Sequence, residues 1–335
     1  MHDWLIATWY GDGRRGRWLL PLAWLFGAAA GLRRSLYARG WLRSYRSSRP
    51  VIVVGNLTAG GTGKTPLVAW LATRLSRLGL RAGVALRGYG SDDGTPRRVI
   101  AGDDARAAGD EAVLLARRTG LPVAIGRRRA AAVRLLEPDC DLILCDDGLQ
   151  HYALARDFEI AVLDARRGLG NGRLLPAGPL REPAWRLDRV DAVVVHGQGP
   201  VRADAVAMQL EPIAAVALAG GARRSLSEFA GRPSVAAAAI GHPERFFALL
   251  REHGIVAEER AFPDHAALTP SQAGAGSGRP LLMTEKDAVK CAGDGWQDAW
   301  YVEVEARIEE PGATALLRRI AALAAARPQG SAAHD

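Results

Sequence analysis

The stretch Val51-Ile-Val-Val-Gly-Asn-Leu-Thr-Ala-Gly-Gly-Thr-Gly-Lys-Thr-Pro66 constrains the fold of this chain more than any other. Its first four residues are apolar and β-branched, which predicts a strand buried on both faces of a parallel sheet. Gly60, Gly61 and Gly63 then let successive backbone N–H groups converge on an anion, because no Cβ blocks the approach. Pro66 stands where a helix is expected to begin, and a helix N-terminus adds partial positive charge. Strand, glycine turn and helix start are the parts of a phosphate-binding P-loop, with Thr58 in place of the usual first glycine of GxxxxGK(S/T). The candidate nucleotide cradle is therefore Thr58, Ala59, Gly60, Gly61, Thr62, Gly63, Lys64 and Thr65. Lys64 is expected on the β- and γ-phosphates of ATP, and the Thr65 hydroxyl on Mg²⁺.

A second stretch, Asp141-Leu-Ile-Leu-Cys-Asp-Asp-Gly-Leu-Gln-His151, reads as an apolar strand ending in two carboxylates and a glycine turn. Parallel strands bring their carboxyl ends to one edge, so Asp146 and Asp147 are expected beside the P-loop. An acid at such a strand end completes the metal shell of P-loop enzymes. Gly109-Asp-Glu111 opens a helix, where Asp110 and Glu111 also suit the positive end of the helix dipole. On residue chemistry alone Glu111, Asp146 and Asp147 all qualify as the second metal ligand.

The chain of 335 residues carries a net charge of +8, which suits anionic partners or reflects a general arginine bias. Its three cysteines, Cys140, Cys145 and Cys291, have no CxxC spacing, which argues against a disulfide framework or zinc site and fits a reducing compartment. Residues 1–45 hold five of the nine tryptophans: Trp4, Trp9, Trp18, Trp24 and Trp41. Arg14, Arg15 and Arg17 precede the apolar run from Trp18 to Leu32, and Arg33 and Arg34 follow it. The run is shorter than the roughly 20 residues that span a bilayer. Tryptophans flanked by arginines suit the headgroup zone, which points to an uncleaved helix in the cytoplasmic leaflet. The alternative is a helix packed on the protein's own core.

From residue 46 onward strands and helices alternate. The organisation expected is α/β: a P-loop NTPase-type parallel-sheet domain over 46–215 and a second, smaller α/β domain over 216–327, with an N-terminal membrane-associating helical segment (1–45) and a disordered tail (328–335). The segment Leu174-Leu-Pro-Ala-Gly-Pro-Leu-Arg-Glu-Pro183 reads as a rigid loop from which Arg181 and Glu182 project. No NKxD segment for guanine is present, which argues against a GTPase; no helix-turn-helix, zinc or aromatic RNA-binding signature is present either, so nucleic acid is not an expected partner.

Taken together, GNLTAGGTGKTP, RGYG, GDEA, DDGLQH, LLPAGPLREP, FPDH and LMTEKDAVK, in this order, resemble the tetraacyldisaccharide 4′-kinases of lipid A biosynthesis. The resemblance implies two α/β domains with the nucleotide between them. It implies transfer of the γ-phosphate of ATP to the 4′-hydroxyl of a tetraacylated glucosamine disaccharide 1-phosphate, forming lipid IVA. The place implied is the cytoplasmic face of the bacterial inner membrane. It further implies Asp110 as the base, paired with His265, which from the residues alone reads as a loop histidine. It favours Glu111 as the second metal ligand, with Asp146 and Asp147 organising Lys64 and the metal's water shell. His151, Arg181 and Glu182 are then expected near the disaccharide or its phosphate.

Overall fold

The computed structural model describes residues 2–11, 16–88, 94–197, 199, 202–291 and 293–327. Arg14, Arg15, Tyr89, Gly90 and the tail 328–335 named above lie outside the described residues. In chain order the helices and strands are α1 (His2–Tyr10), α2 (Leu20–Ala38), β1 (Val51–Gly55), α3 (Lys64–Arg77), β2 (Ala82–Leu86), β3 (Arg97–Val99), α4 (Ala105–Ala108), α5 (Asp110–Thr119), β4 (Val123–Ile125), α6 (Arg129–Leu136), β5 (Leu142–Asp146), β6 (Phe158–Asp164) and β7 (Ala192–His196). They continue with β8 (Val206–Ala217), β9 (Arg223–Arg224), β10 (Ser234–Ala238), α7 (Pro243–Glu252), β11 (Ala257–Ala261), α8 (Pro270–Ala273), β12 (Leu281–Thr284), α9 (Glu285–Ala288), β13 (Ala299–Ile308) and α10 (Gly312–Ala326).

All the strands belong to one sheet, ordered β11-β10-β12-β13-β8-β7-β6-β1-β5-β2-β4-β3, with β9 beside β8. The run from β8 to β4 is parallel, and so is the run from β11 to β13. The two blocks meet where β8 and β13 pair antiparallel. Strand β7 ends level with Met208, whereas β12 ends level with Val302, opposite Ala215. The ribbon of β8 and β13 between those levels spaces the blocks, and their opposed directions turn the carboxyl ends of both toward one gap. Such ends are where open α/β sheets bind ligands.

Alternation along β1 sends Ile52 and Val54 to one face of the first block, and Val51 and Val53 to the other. On the first face α3 lays down Leu67, Val68, Leu71 and Leu75, at the spacing of one helical stripe. The expected domain boundary near 215 falls inside β8, which runs on to Ala217. Helix α10, placed by sequence in the second unit, packs Leu316 and Ile320 into the first block's core with α3. The second block has its own two cores, around Phe229, Phe246 and Phe247 on one face and Leu268, Met283 and Trp296 on the other.

Helix α2 packs on the protein's own core along one side. There Ala23 meets Leu19 and Ala177, and Gly27 lies close against Leu174. Its outer side leaves Trp24 (70%), Leu25 (67%) and Leu32 (63%) exposed, and Trp18 in the turn just before it is 68% exposed, an apolar surface of the kind that marks contact sites. Among the described residues no helix is long and apolar enough to cross a membrane.

Glycine at the end of β1 is required by packing. A Cβ on Gly55 meets Leu149 Cγ at 2.7 Å and Leu149 Cβ at 3.0 Å, which ties β1 to the turn after β5. Gly55→Ala is expected to reduce the unfolding free energy by about 1–3 kcal/mol, read as a lower urea midpoint at unchanged slope. A wild-type midpoint shows that Leu149 yields freely and that this packing is slack.

Candidate active site

The P-loop lies open at the gap. Gly60 and Gly61 are exposed, while Thr58 and Thr62 are buried beneath them. Gly60 and Gly63 have φ of 104° and 86°, conformations that β-carbons disfavour. The loop's entry is sutured to the proline-rich segment: Ala59 N donates to Pro179 O (2.8 Å) and Arg181 N to Leu57 O (2.7 Å). Asn56 Nδ2 closes the turn on Gly60 O at 2.9 Å.

The aspartate pair stands where the strand order predicts, since β1 and β5 are neighbours. Thr65 Oγ1 donates to Asp146 Oδ2 at 3.0 Å, and Lys64 Nζ is 3.4 Å from Asp147 Oδ1. Arg181 Nη1 reaches both Asp147 oxygens at 3.3 Å. The two carboxyls ionise differently. Burial, reinforced by Glu111, pushes Asp146 up to about 7 against the pull of Lys64. Burial also opposes ionisation of Asp147, but Lys64, Arg181 and Arg129 outweigh it and hold that carboxyl at about 2.

Asp146 Oδ1 is buried and has no hydrogen-bond partner among the described residues. An unsatisfied carboxylate oxygen beside a threonine hydroxyl fits a hard divalent cation, which needs only one or two protein oxygens when phosphates supply the rest. Among the described residues no group of three or more His, Cys, Asp or Glu could hold a metal ion by itself. Glu111, the acid favoured by resemblance, is held instead by Lys286 Nζ at 3.3 Å.

The second acid–base group bridges the gap. Asp110 is the first residue of α5, in the P-loop's own block; it is 6% exposed, and its Oδ1 accepts the Glu111 N–H at 2.9 Å. His265 Nδ1 lies 2.9 Å from Asp110 Oδ2, although the two residues are 155 positions apart. A carboxylate only accepts, so Nδ1 carries the hydrogen. His265 sits at φ 63° in the turn after β11, with its backbone N–H on Ala239 O. Burial works against the Asp110 carboxylate, but the His265 hydrogen bond and the Lys286 charge prevail and lower its pKa. The same hydrogen bond raises His265, against burial and Lys286.

Four residues near these groups are not among the site residues expected from the sequence. Lys286, from the TEKDAVK segment, gathers Asp110 (3.9 Å), Glu111 (3.3 Å) and Asp264 (3.7 Å). Arg129 is buried at the start of α6, where it donates to the Asp146 and Asp147 carbonyls and fixes that turn. Arg167 and His242 meet beside Gly60. A charge pointing into a gap can be read only once the gap exists.

His151 lies partly buried past the aspartate pair. Burial, with Arg129 and Arg87, pushes its imidazole down to about 4, so it is neutral at physiological pH. Glu182 departs from expectation. It is 3% exposed, and its carboxylate accepts from Gln150 Nε2 (2.9 Å) and Tyr152 Oη (2.6 Å) and faces Arg186 Nε (3.4 Å). Its position in an extended loop sends it inward while neighbouring Arg181 faces the gap, so Glu182 braces the loop and does not reach out to a substrate.

Comparison with known proteins points to one family. The family model for tetraacyldisaccharide-1-P 4′-kinase matches residues 15–322. The tetraacyldisaccharide 4′-kinase of Halorhodospira halophila is 51% identical over 91% of this chain and 92% of its own length. Those of Pseudomonas aeruginosa and Pasteurella multocida are each 48% identical, over 90% and 92% of this chain and 92% and 94% of theirs. Among solved structures, LpxK of Aquifex aeolicus, crystallised in complex with ATP, superposes with a TM-score of 0.78 at 28% identity, covering 92% of this chain and 99% of that one. Matched along nearly its whole length in sequence and in fold, the chain belongs to the tetraacyldisaccharide-1-P 4′-kinase family.

Proposed function

We propose that the chain transfers the γ-phosphate of ATP to the 4′-hydroxyl of an acylated glucosamine disaccharide 1-phosphate, forming lipid IVA, with the residues facing the gap. The carrying observation is that Asp110, at the start of α5 in the block that holds Lys64 and Thr65, meets His265 from the facing block, on the opposed carboxyl edges of one sheet. Phosphoryl transfer needs alignment, charge neutralisation and a route for the hydroxyl proton. The Thr58–Thr65 backbone and Lys64 grip the nucleotide's phosphates. Asp110, ionised at neutral pH, accepts the sugar hydroxyl's proton, and His265 orients it. Thr65 and Asp146 would hold Mg²⁺, and Glu111, which faces Lys286, is a further acid close to Asp146. When bound, the metal neutralises charge on the β- and γ-phosphates. Asp147 and Arg181 keep Lys64 in place, and His151 and Arg181 face the disaccharide side.

The acceptor resides in a membrane, since each buried CH₂ adds about 0.8 kcal/mol to its retention. The exposed face of α2, Trp24, Leu25 and Leu32, together with Trp18 in the turn before it, is the surface that meets the cytoplasmic leaflet. Arginine-flanked tryptophans suit that depth. An assay with labelled ATP and the acylated disaccharide tests the whole reading: a 1,4′-bisphosphate product supports it, and ATP hydrolysis without a lipid product overturns it in favour of an ATPase.

Asp110→Ala is expected to lower turnover by about 10²-fold or more, the usual weight of a general base, with ATP affinity nearly intact; near-normal turnover removes Asp110 from that role. Lys64→Ala weakens ATP binding itself. In an NMR titration the His265 ring protons report a pKa above 6.5. Because the folded value is raised, the ion pair's stabilisation is complete below 6.5 and disappears as pH climbs through the raised value. In Asp110→Asn the raising hydrogen bond is lost, burial and Lys286 remain, and the His265 pKa falls; an unchanged titration means the pair does not form in solution. Finally, Trp18→Ser, Trp24→Ser and Leu25→Ser together are expected to release the protein from anionic vesicles in flotation while leaving its fold unchanged; undiminished flotation excludes this face as the anchor.

A further inference from the structure

One side of the P-loop is unaccounted for by the residues above. Opposite the aspartate pair, a Cβ built on Gly60 lies 3.3 Å from His242 Nε2 and 3.5 Å from Arg167 Nη1. Arg167 follows β6, and its backbone N–H is fixed by Asp164 Oδ1 at 3.1 Å. Its guanidinium lies against the His242 ring, Nη1 at 2.5 Å from Nε2 and Nη2 at 2.9 Å from Nδ1. Among the described residues no carboxylate forms an ion pair with Arg167, because the nearby Asp164 is taken by Arg245. Burial and the Arg245 charge both weigh against the Arg167 cation. A cation in this setting, one side chain away from an anion-binding loop, gains from a phosphate.

What holds Arg167 there comes from the other end of the chain. The guanidinium carbon lies 5.0 Å from the centre of the Tyr10 ring, within cation–π range. Tyr10 is the last residue of α1, and that end is clamped to the loop carrying Arg167. Trp9 Nε1 donates to Pro176 O (2.9 Å), Asn171 N to Trp9 O (2.8 Å), and Asn171 Nδ2 to Thr8 O (3.2 Å). A Cβ on Gly170 is 2.7 Å from Trp9 O, so this approach demands glycine.

We propose that Arg167 binds the phosphate tail of ATP from the side of Gly60, and that Tyr10 is its positioning residue, so the N-terminal segment contributes to nucleotide affinity as well as to membrane contact. The proposal rests on the P-loop being the ATP site. Two tasks then share one segment: the outer face of α2 meets lipid while the end of α1 braces the phosphate site.

The test measures binding of a non-hydrolysable ATP analogue and of adenosine to the full chain in detergent, by calorimetry. Arg167→Ala is expected to weaken the analogue about 10- to 100-fold, the scale of a lost charge-assisted contact, without affecting adenosine. Tyr10→Leu is expected to weaken the analogue about three- to tenfold, while Tyr10→Phe, which keeps the ring face, retains wild-type affinity. In the Arg167→Ala background Tyr10→Leu adds nothing, and neither Tyr10 variant changes vesicle flotation. If Tyr10→Leu fails to fold, Arg167→Lys carries the same test, since it keeps the charge but loses the guanidinium plane that the ring supports. Equal losses for adenosine and the analogue, or additive effects of the two positions, overturn the proposal. Unchanged affinity in the Arg167 and Tyr10 variants while Lys64→Ala loses binding also overturns it; unchanged affinity in Lys64→Ala as well overturns the P-loop reading beneath it.

Discussion

The antiparallel pairing of β8 with β13 is the constraint on which the site depends. Each block of parallel strands alone presents a carboxyl edge to solvent. Joined head to head by that ribbon, the two edges look at each other, and loops from both reach the same space. Everything that crosses the gap follows from this: Asp110 with His265, Lys286 with Glu111, Arg245 with Asp164, and Arg118 with Glu285. The ribbon itself is less covered than the blocks it joins. Residues Glu211, Pro212 and Ile213 in its middle are only partly buried or exposed.

Charge in the gap is arranged in opposition. Lys64, Arg181 and Arg129 surround Asp147 and keep it ionised, whereas Asp146, a residue away, is buried deeply enough to resist ionisation. Two adjacent acids thereby differ in kind: one anchors the lysine, and the other has an oxygen left for a cation. Lys286 plays the corresponding part on the far side by holding Asp110 and Glu111 together despite their mutual repulsion. With no cation there, three carboxylates would crowd one corner of a poorly hydrated site.

Legibility in the sequence tracked the range of the interaction. β1, the glycine turn and α3 depend on local backbone freedom and on the two periods of strand and helix, and they appear where the residues predict. β5 ends in its acids for the same reason. The strand β8 was not read, since Pro212 and Glu211 interrupt its pattern and its pairing with β13 is what makes it a strand. β11, Ala257–Ala261, is a polar edge strand with no apolar alternation to show. Arg129 and Arg167 could not be singled out in a chain with 44 Lys and Arg. Glu182 was misjudged because neighbouring residues of an extended loop point opposite ways, and composition does not say which way is in.

By itself, then, the amino-acid order determined a phosphate-gripping loop, a pair of acids at a neighbouring strand end, and an apolar, tryptophan-rich N-terminal helix. These are properties of backbone sterics, glycine and side-chain periodicity over a few residues. The tertiary structure alone decided that Asp110 touches a histidine 155 positions away, that α10 returns to the first block, and that Tyr10 lies against Arg167. Such meetings depend on strand order and on the direction of each block, and no local pattern encodes how two distant loops are aimed.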